Sequence, residues 1–153
     1  MSSSDAGLKA RITTDMKTAM KSGDKSRLGT IRLILAAIKQ VEVDQRIELD
    51  DAAVTTILDK MTKQRRESIS QYDKAGRDDL SAVEAAEIEV LKTYLPEPLS
   101  DAEINALIDA AISDTGAGSI KDMGKVMGQL KPKMQGRADM GAVSGMIKSR
   151  LNA

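Results

Sequence analysis

Residues 94–103 read Tyr94-Leu-Pro-Glu-Pro-Leu-Ser-Asp-Ala-Glu103, and this stretch divides the chain. Pro96 and Pro98 stand with one residue between them. Neither can donate the backbone bond a helix interior needs, and each pushes its predecessor to extended geometry. A helix arriving from the N-terminal side therefore stops near Leu95. Ser100 and Glu103 follow at the spacing of a capping box, in which each side chain satisfies the other's free backbone N–H. A new helix starts there. The pattern predicts a linker at 95–100, an N-terminal helical bundle over 1–95 and a small helical module over 96–153.

Outward from this boundary the apolar period is helical. Upstream, Leu8, Ile12, Met16 and Met20 recur every four residues, from an N-cap at Asp5 to Gly23. Asp24 caps a second helix predicted over Lys25 to Ile47. Its stripe of Leu28, Ile31, Leu35 and Ile38, widened by Ile34 and Val41, implies partners on two sides. Arg32 and Lys39 lie off that stripe and face water. A third helix, capped by Asp50 or Asp51, carries Val54, Ile57, Leu58, Met61, Ile69 and Tyr72 inward and stops at Gly76. A fourth opens at Asp78-Asp79 and turns Leu80, Val83, Ile88, Leu91 and Leu95 to the core. Downstream, Leu107, Ile108, Ala111 and Ile112 carry a fifth helix to Thr115.

Composition agrees with this reading. Hydrophobic residues make up 41% of the 153, yet there is no Phe, no Trp and only Tyr72 and Tyr94. Leu, Ile, Val, Ala and Met must fill the core, and they pack helices well, whereas strands favour aromatic and β-branched residues. The expected class is all-α: an N-terminal helical bundle followed by a small C-terminal three-helix module. With no Cys and no His, disulfides, thiol chemistry, the usual general base and the common zinc ligands are excluded. No catalytic residue, metal or cofactor is expected. The first residues lack the apolar run of a signal peptide, and no window approaches ~20 apolar residues. The expectation is a cytoplasmic protein with no membrane partner.

The net charge of zero hides a pattern. Residues 47–118 carry seven basic against sixteen acidic residues, whereas 119–153 carry seven against two. Such asymmetry fits a basic end that meets a polyanion, or one that meets the chain's own acidic middle. Gly116 to Leu151 also holds seven of the eleven glycines. A sixth helix is predicted from Ser119 to Lys131, closed by Pro132, with Ile120, Met123, Met127 and Leu130 on its apolar face. Gly124 and Gly128 fall beside that face with Lys121. A seventh helix, capped by Asp139, carries Met140, Val143, Ile147 and Leu151, with Gly141, Gly145 and Lys148 to one side and Arg150 nearby.

A mid-helix glycine costs roughly 1 kcal/mol relative to alanine, so these spacings point to close backbone approach. Internal helix packing is the expectation for at least one pair. A phosphate backbone or a partner helix is the alternative. Lys131 to Arg137 reads as an exposed basic loop suited to phosphates. No aromatic accompanies it, so an RNA partner would be recognised by shape and backbone. The candidate RNA-binding residues are Lys121, Gly124, Lys125, Gly128, Lys131, Lys133, Arg137 and Lys148. No phosphate-binding Gly-Lys-Ser/Thr loop exists. Two further clusters carry ordinary readings. Glu84 and Glu87 are three apart and fit Mg²⁺ or acid/base chemistry, but solvated charge is the expectation. Lys63, Arg65 and Arg66 are expected to pair with Asp59 and Glu67 or to face water.

Several segments together carry a family resemblance: Arg27-Leu-Gly-Thr-Ile-Arg32, Arg66-Glu-Ser-Ile69, Tyr72-Asp-Lys-Ala-Gly-Arg77 and Tyr94-Leu-Pro96. Lys121-Asp-Met-Gly-Lys-Val-Met127, followed by Gly136-Arg-Ala-Asp139, completes the set. The chain resembles the YqeY family, free-standing relatives of the C-terminal tail of the tRNA-dependent amidotransferase B subunit. The resemblance implies an all-α protein with an elongated N-terminal helical bundle and a compact C-terminal helical module, and tRNA or another structured RNA as partner, with a synthetase or amidotransferase assembly as a further one. In the larger relative the tail contacts tRNA, while a separate catalytic domain amidates misacylated Glu-tRNA or Asp-tRNA with ammonia from glutamine. No such domain is present here, so the implied role is that of an RNA-binding accessory protein. A helical protein-interaction module and a carboxylate enzyme using Glu84 and Glu87 are the alternatives.

Overall fold

The computed structural model describes residues 7–152. Seven α-helices and no strand occur among the described residues. The chain divides into two compact units, Met1–Leu95 and Pro96–Ala153.

The first unit holds α1 (Leu8–Ser22), α2 (Lys25–Gln45), α3 (Asp51–Lys74) and α4 (Asp78–Lys92). Its boundaries follow the expected punctuation. Gly23 and Gly76 take left-handed backbone at φ 74° and 70°. Asp24 accepts from the Arg27 N–H and Asp50 from the Ala53 N–H. The Asp5 cap lies outside the described residues, and the N-cap position of α1 is Gly7. α2 stops before Ile47, because Arg46 turns left-handed at φ 56°.

Ile12, Ile31, Ile34, Ile38, Val54, Leu58 and Leu91 are fully buried in one core. Two core expectations fail. Met20 is 52% exposed and Val83 57%. A four-residue step on a 3.6-residue helix drifts by about 40° each time, so three steps from Leu8 carry Met20 roughly 120° away. Ala19 is buried in its place. Val83 likewise projects about 100° from the mean direction of Leu80, Ile88, Leu91 and Leu95.

The end of this unit is pinned. Tyr94 is buried, its hydroxyl donates to Asp15 Oδ2 at 2.6 Å, and the Arg11 guanidinium lies 5.1 Å from its ring centroid. Arg11 also donates to the Thr93 carbonyl at 2.8 Å. Burial first, then the hydrogen bond to the Asp15 carboxylate, pushes the Tyr94 hydroxyl up to about 12.

The second unit holds α5 (Asp101–Thr115), a 3-10 turn (Ile120–Asp122), α6 (Met123–Met134) and α7 (Met140–Leu151). Both halves of the Ser100–Glu103 capping box form. Ile108, Ala111, Val126, Leu130, Met134, Val143 and Ile147 make a separate core.

Here α6 departs from expectation. It runs through Pro132 to Met134. Proline costs about 3 kcal/mol in a helix interior, but Pro132 lies in the last turn and forfeits only its own bond to the Gly128 carbonyl. Full burial of Met134 contributes about 1.5–3 kcal/mol in return. The inward face is therefore Val126, Leu130 and Met134 at four-residue spacing, and Ile120 is left 38% exposed. Lys131 and Lys133 consequently sit on a helix rather than in a loop. The turn proper runs through Gly136 at φ 78°.

Candidate nucleic-acid interface

The entry to α6 is fixed by local bonds. Ser119 Oγ accepts from the Lys121 N–H, and Asp122 Oδ2 accepts from the Gly118 N–H at 3.0 Å. That bond above all holds the Asp122 carboxyl below its ordinary range, with Lys125 adding to it. From this point Lys121, Gly124, Lys125, Gly128 and Lys131 fall within a band of about 120° around the helix. All five are exposed, and the opposite side carries the buried Val126, Leu130 and Met134.

The glycines on this band serve no internal contact. A Cβ at Gly124, Gly128 or Gly145 would meet no atom within 4 Å. The expected close internal packing is therefore corrected. Gly141 differs, since a Cβ there would stand 3.2 Å from its own capping carboxylate on Asp139. On α7, Gly145 and Lys148 are exposed together.

Four of the seven acids of this unit are occupied at helix starts or in a pair. Glu103, Asp122 and Asp139 accept backbone N–H bonds at helix starts, and Asp109 pairs with Arg150. Backbone and side-chain bonds from Ser100 hold the Glu103 carboxyl low. None of Lys121, Lys125, Lys131, Lys133 and Lys148 forms an ion pair among the described residues. Five exposed ammonium groups are thus left with unspent charge, Lys133 standing off the main band.

Two arginines are already engaged. Arg137 is half-buried; its Nε donates to the Glu97 carbonyl at 2.9 Å, and its own carbonyl accepts from the Leu99 N–H at 2.8 Å. It ties the proline segment to the turn after α6, so its place in a free basic loop is corrected. A backbone carbonyl forty residues away leaves no trace in side-chain periodicity. Arg150 donates to Asn105 Oδ1 at 2.6 Å as well as to Asp109.

The carboxylate pair has a structural partner. Arg65 donates from Nε and from a terminal nitrogen to Glu87 Oε2 at 3.1 and 2.9 Å, and Glu84 stands 3.9 Å away. All three side chains are largely buried, at 14–21% exposure. Neither simple solvation of the glutamates nor pairing of Arg65 within α3 describes this site. The α3–α4 hairpin brings together residues 22 apart, beyond the reach of helical spacing. No group of three or more His, Cys, Asp or Glu able to hold a metal occurs among the described residues. Among the described residues no helix is long and apolar enough to cross a membrane.

Comparison with known proteins adds relatives. The protein named "Altered inheritance of mitochondria protein 41, mitochondrial" from Pyrenophora tritici-repentis is 32% identical over 146 residues, 94% of this chain and 80% of its own length. Proteins of the same name from Lachancea thermotolerans and Eremothecium gossypii are 38% and 41% identical, over 69% and 61% of this chain. This chain spans only 58% and 52% of those two relatives. Their names overturn the cytoplasmic expectation. That expectation used the missing apolar run, which detects a secretory leader and is blind to the amphipathic leaders that address mitochondria. The family profile described as "Yqey-like protein" matches residues 9–151, which takes in both helical units and the whole basic band, and the chain belongs to the YqeY family.

Proposed function

We propose that the second unit binds the phosphate backbone of a folded RNA, tRNA first among the candidates. The observation that carries this reading is the band on α6. Lys121, Lys125 and Lys131 stand exposed and unpaired around Gly124 and Gly128, where nothing occupies the space above the helix. Two glycines let a backbone approach to a distance that side chains would forbid, and ammonium groups on either side neutralise its phosphates. The absence of Phe and Trp anywhere in the chain favours shape and backbone readout over base stacking. Lys133 and Lys148 extend the contact, and Arg137 contributes by holding the turn. On this reading the protein is an RNA-binding accessory related to the tRNA-dependent amidotransferase system, with the chemistry supplied elsewhere.

A second reading has the same glycines receive a helix from a partner protein. Substitution separates the two. In filter binding of bulk tRNA to the full chain, the Lys121→Ala/Lys125→Ala/Lys131→Ala variant loses most of its affinity if RNA occupies the band. If Gly124→Leu alone abolishes a partner's binding and the lysine variant matches wild type on tRNA, the RNA reading fails.

A further inference from the structure

The first unit carries a second unpartnered surface, on the outer side of α2. Ser26, Gly29, Leu33, Ala36, Gln40 and Val43 are spaced alternately by three and four residues and are all exposed. They lie roughly opposite the buried Ile31, Ile34 and Ile38. Alternating steps of three and four are the seam of a coiled coil. Leu33 and Val43 are 49% and 60% exposed, so the seam costs free energy while nothing covers it. Its N-terminal half opens into a groove of about 620 Å³ whose far bank is Ala82, Val83 and Ala86 of α4. Gly29 forms part of this groove, with no atom within 4 Å of where its Cβ would stand.

One edge of the seam is uniformly basic. Lys25, Arg32 and Lys39 recur every seven residues, the flanking position that sets partner choice in coiled coils. All three are exposed, and none forms an ion pair among the described residues. Of the acids nearby, Glu42 is taken by Lys9 at 2.7 Å, Glu87 by Arg65, and Asp44 by the Gln40 amide.

We propose that this face of α2 docks an amphipathic helix of another protein that carries an apolar seam flanked by Glu or Asp. A second copy of this chain fits poorly. Antiparallel pairing would set Lys25, Arg32 and Lys39 against their own kind. Parallel pairing would face them with Thr30, Ala37 and Asp44, which offer one acid among three. A bilayer fits poorly too, since the surface is hollowed at Gly29, where the groove opens, rather than convex. The proposal concerns α2 and α4 only and stands apart from the RNA band on α6.

The test uses the full chain and two monomeric peptides of about four heptads, each with Leu and Ile on the seam. One has Glu at every flanking position and the other Lys. Fluorescence anisotropy should show the Glu peptide binding at least about tenfold more tightly, the sum of a few exposed ion pairs. Leu33→Glu/Val43→Glu, both at exposed positions, should abolish binding with the helical circular dichroism unchanged. Lys25→Glu/Arg32→Glu/Lys39→Glu should transfer the preference to the Lys peptide, and the Lys121→Ala/Lys125→Ala/Lys131→Ala variant should bind as wild type does. Equal affinity for the two peptides, or none for either, overturns the proposal. So does a dimer of the chain that Leu33→Glu disperses, or binding to phosphatidylserine vesicles through this face in place of the Glu peptide.

Discussion

Tyr94 shows what a single side chain does in a core with only two aromatics. It closes the first unit by filling the space against α1 and by donating to Asp15. Its hydroxyl has a folded-state value of about 12 against an ordinary 10.0. A raised value means that the folded state holds the proton more tightly. The associated stability is complete below pH 10 and is lost as pH rises through about 12. Thermal melting at stepped pH should therefore show wild type more stable than Tyr94→Phe near neutrality, with the gap closing between pH 10 and 12. A constant gap would mean that the hydroxyl contributes nothing beyond packing.

The glycines give a second prediction at this scale. Gly124→Ala, Gly128→Ala and Gly145→Ala should each stabilise the second unit by about 0.5–1 kcal/mol in chemical denaturation, since the space is open and helix propensity rises. Gly141→Ala should not, because its Cβ would press on the Asp139 cap. The sequence already showed that these glycines are costly. It did not show that the space above Gly124, Gly128 and Gly145 is open, since that depends on how the helices pack.

At the scale of the helix, local signals were readable where the responsible atoms are sequence neighbours. Asp24, Asp50, Ser100 and Asp139 cap the helices they precede. Ser100→Ala should remove the bond from the Glu103 N–H to the Ser100 hydroxyl and cost about 1 kcal/mol, measured by denaturant unfolding. Where partners are distant, the sequence was silent. Arg65 reaches Glu87 across a hairpin, and Arg137 reaches a backbone carbonyl in the proline segment. Pro132 read as a stop, yet the burial of Met134 outweighs it and draws Lys131 and Lys133 onto a helix. The candidate site was thus legible as a list of residues. Its geometry, a band on α6 with Arg137 held apart from it, was not.

Across the whole molecule, the zero net charge makes segregation of charge the source of any pull on a polyanion. Glu103, Asp122, Asp139 and Asp109 of the second unit cap helices or pair with Arg150, and the lysines on α6 do neither. The family match takes in both units, and with them the helices that carry the basic band and the outer face of α2. The measurement that tests the central claim most directly is the salt dependence of tRNA binding by the full chain. If Lys121, Lys125 and Lys131 neutralise phosphates, log affinity falls linearly with log salt, and each alanine substitution flattens the slope by about one unit. Affinity that does not change with salt, or slopes identical in wild type and the three variants, would contradict it.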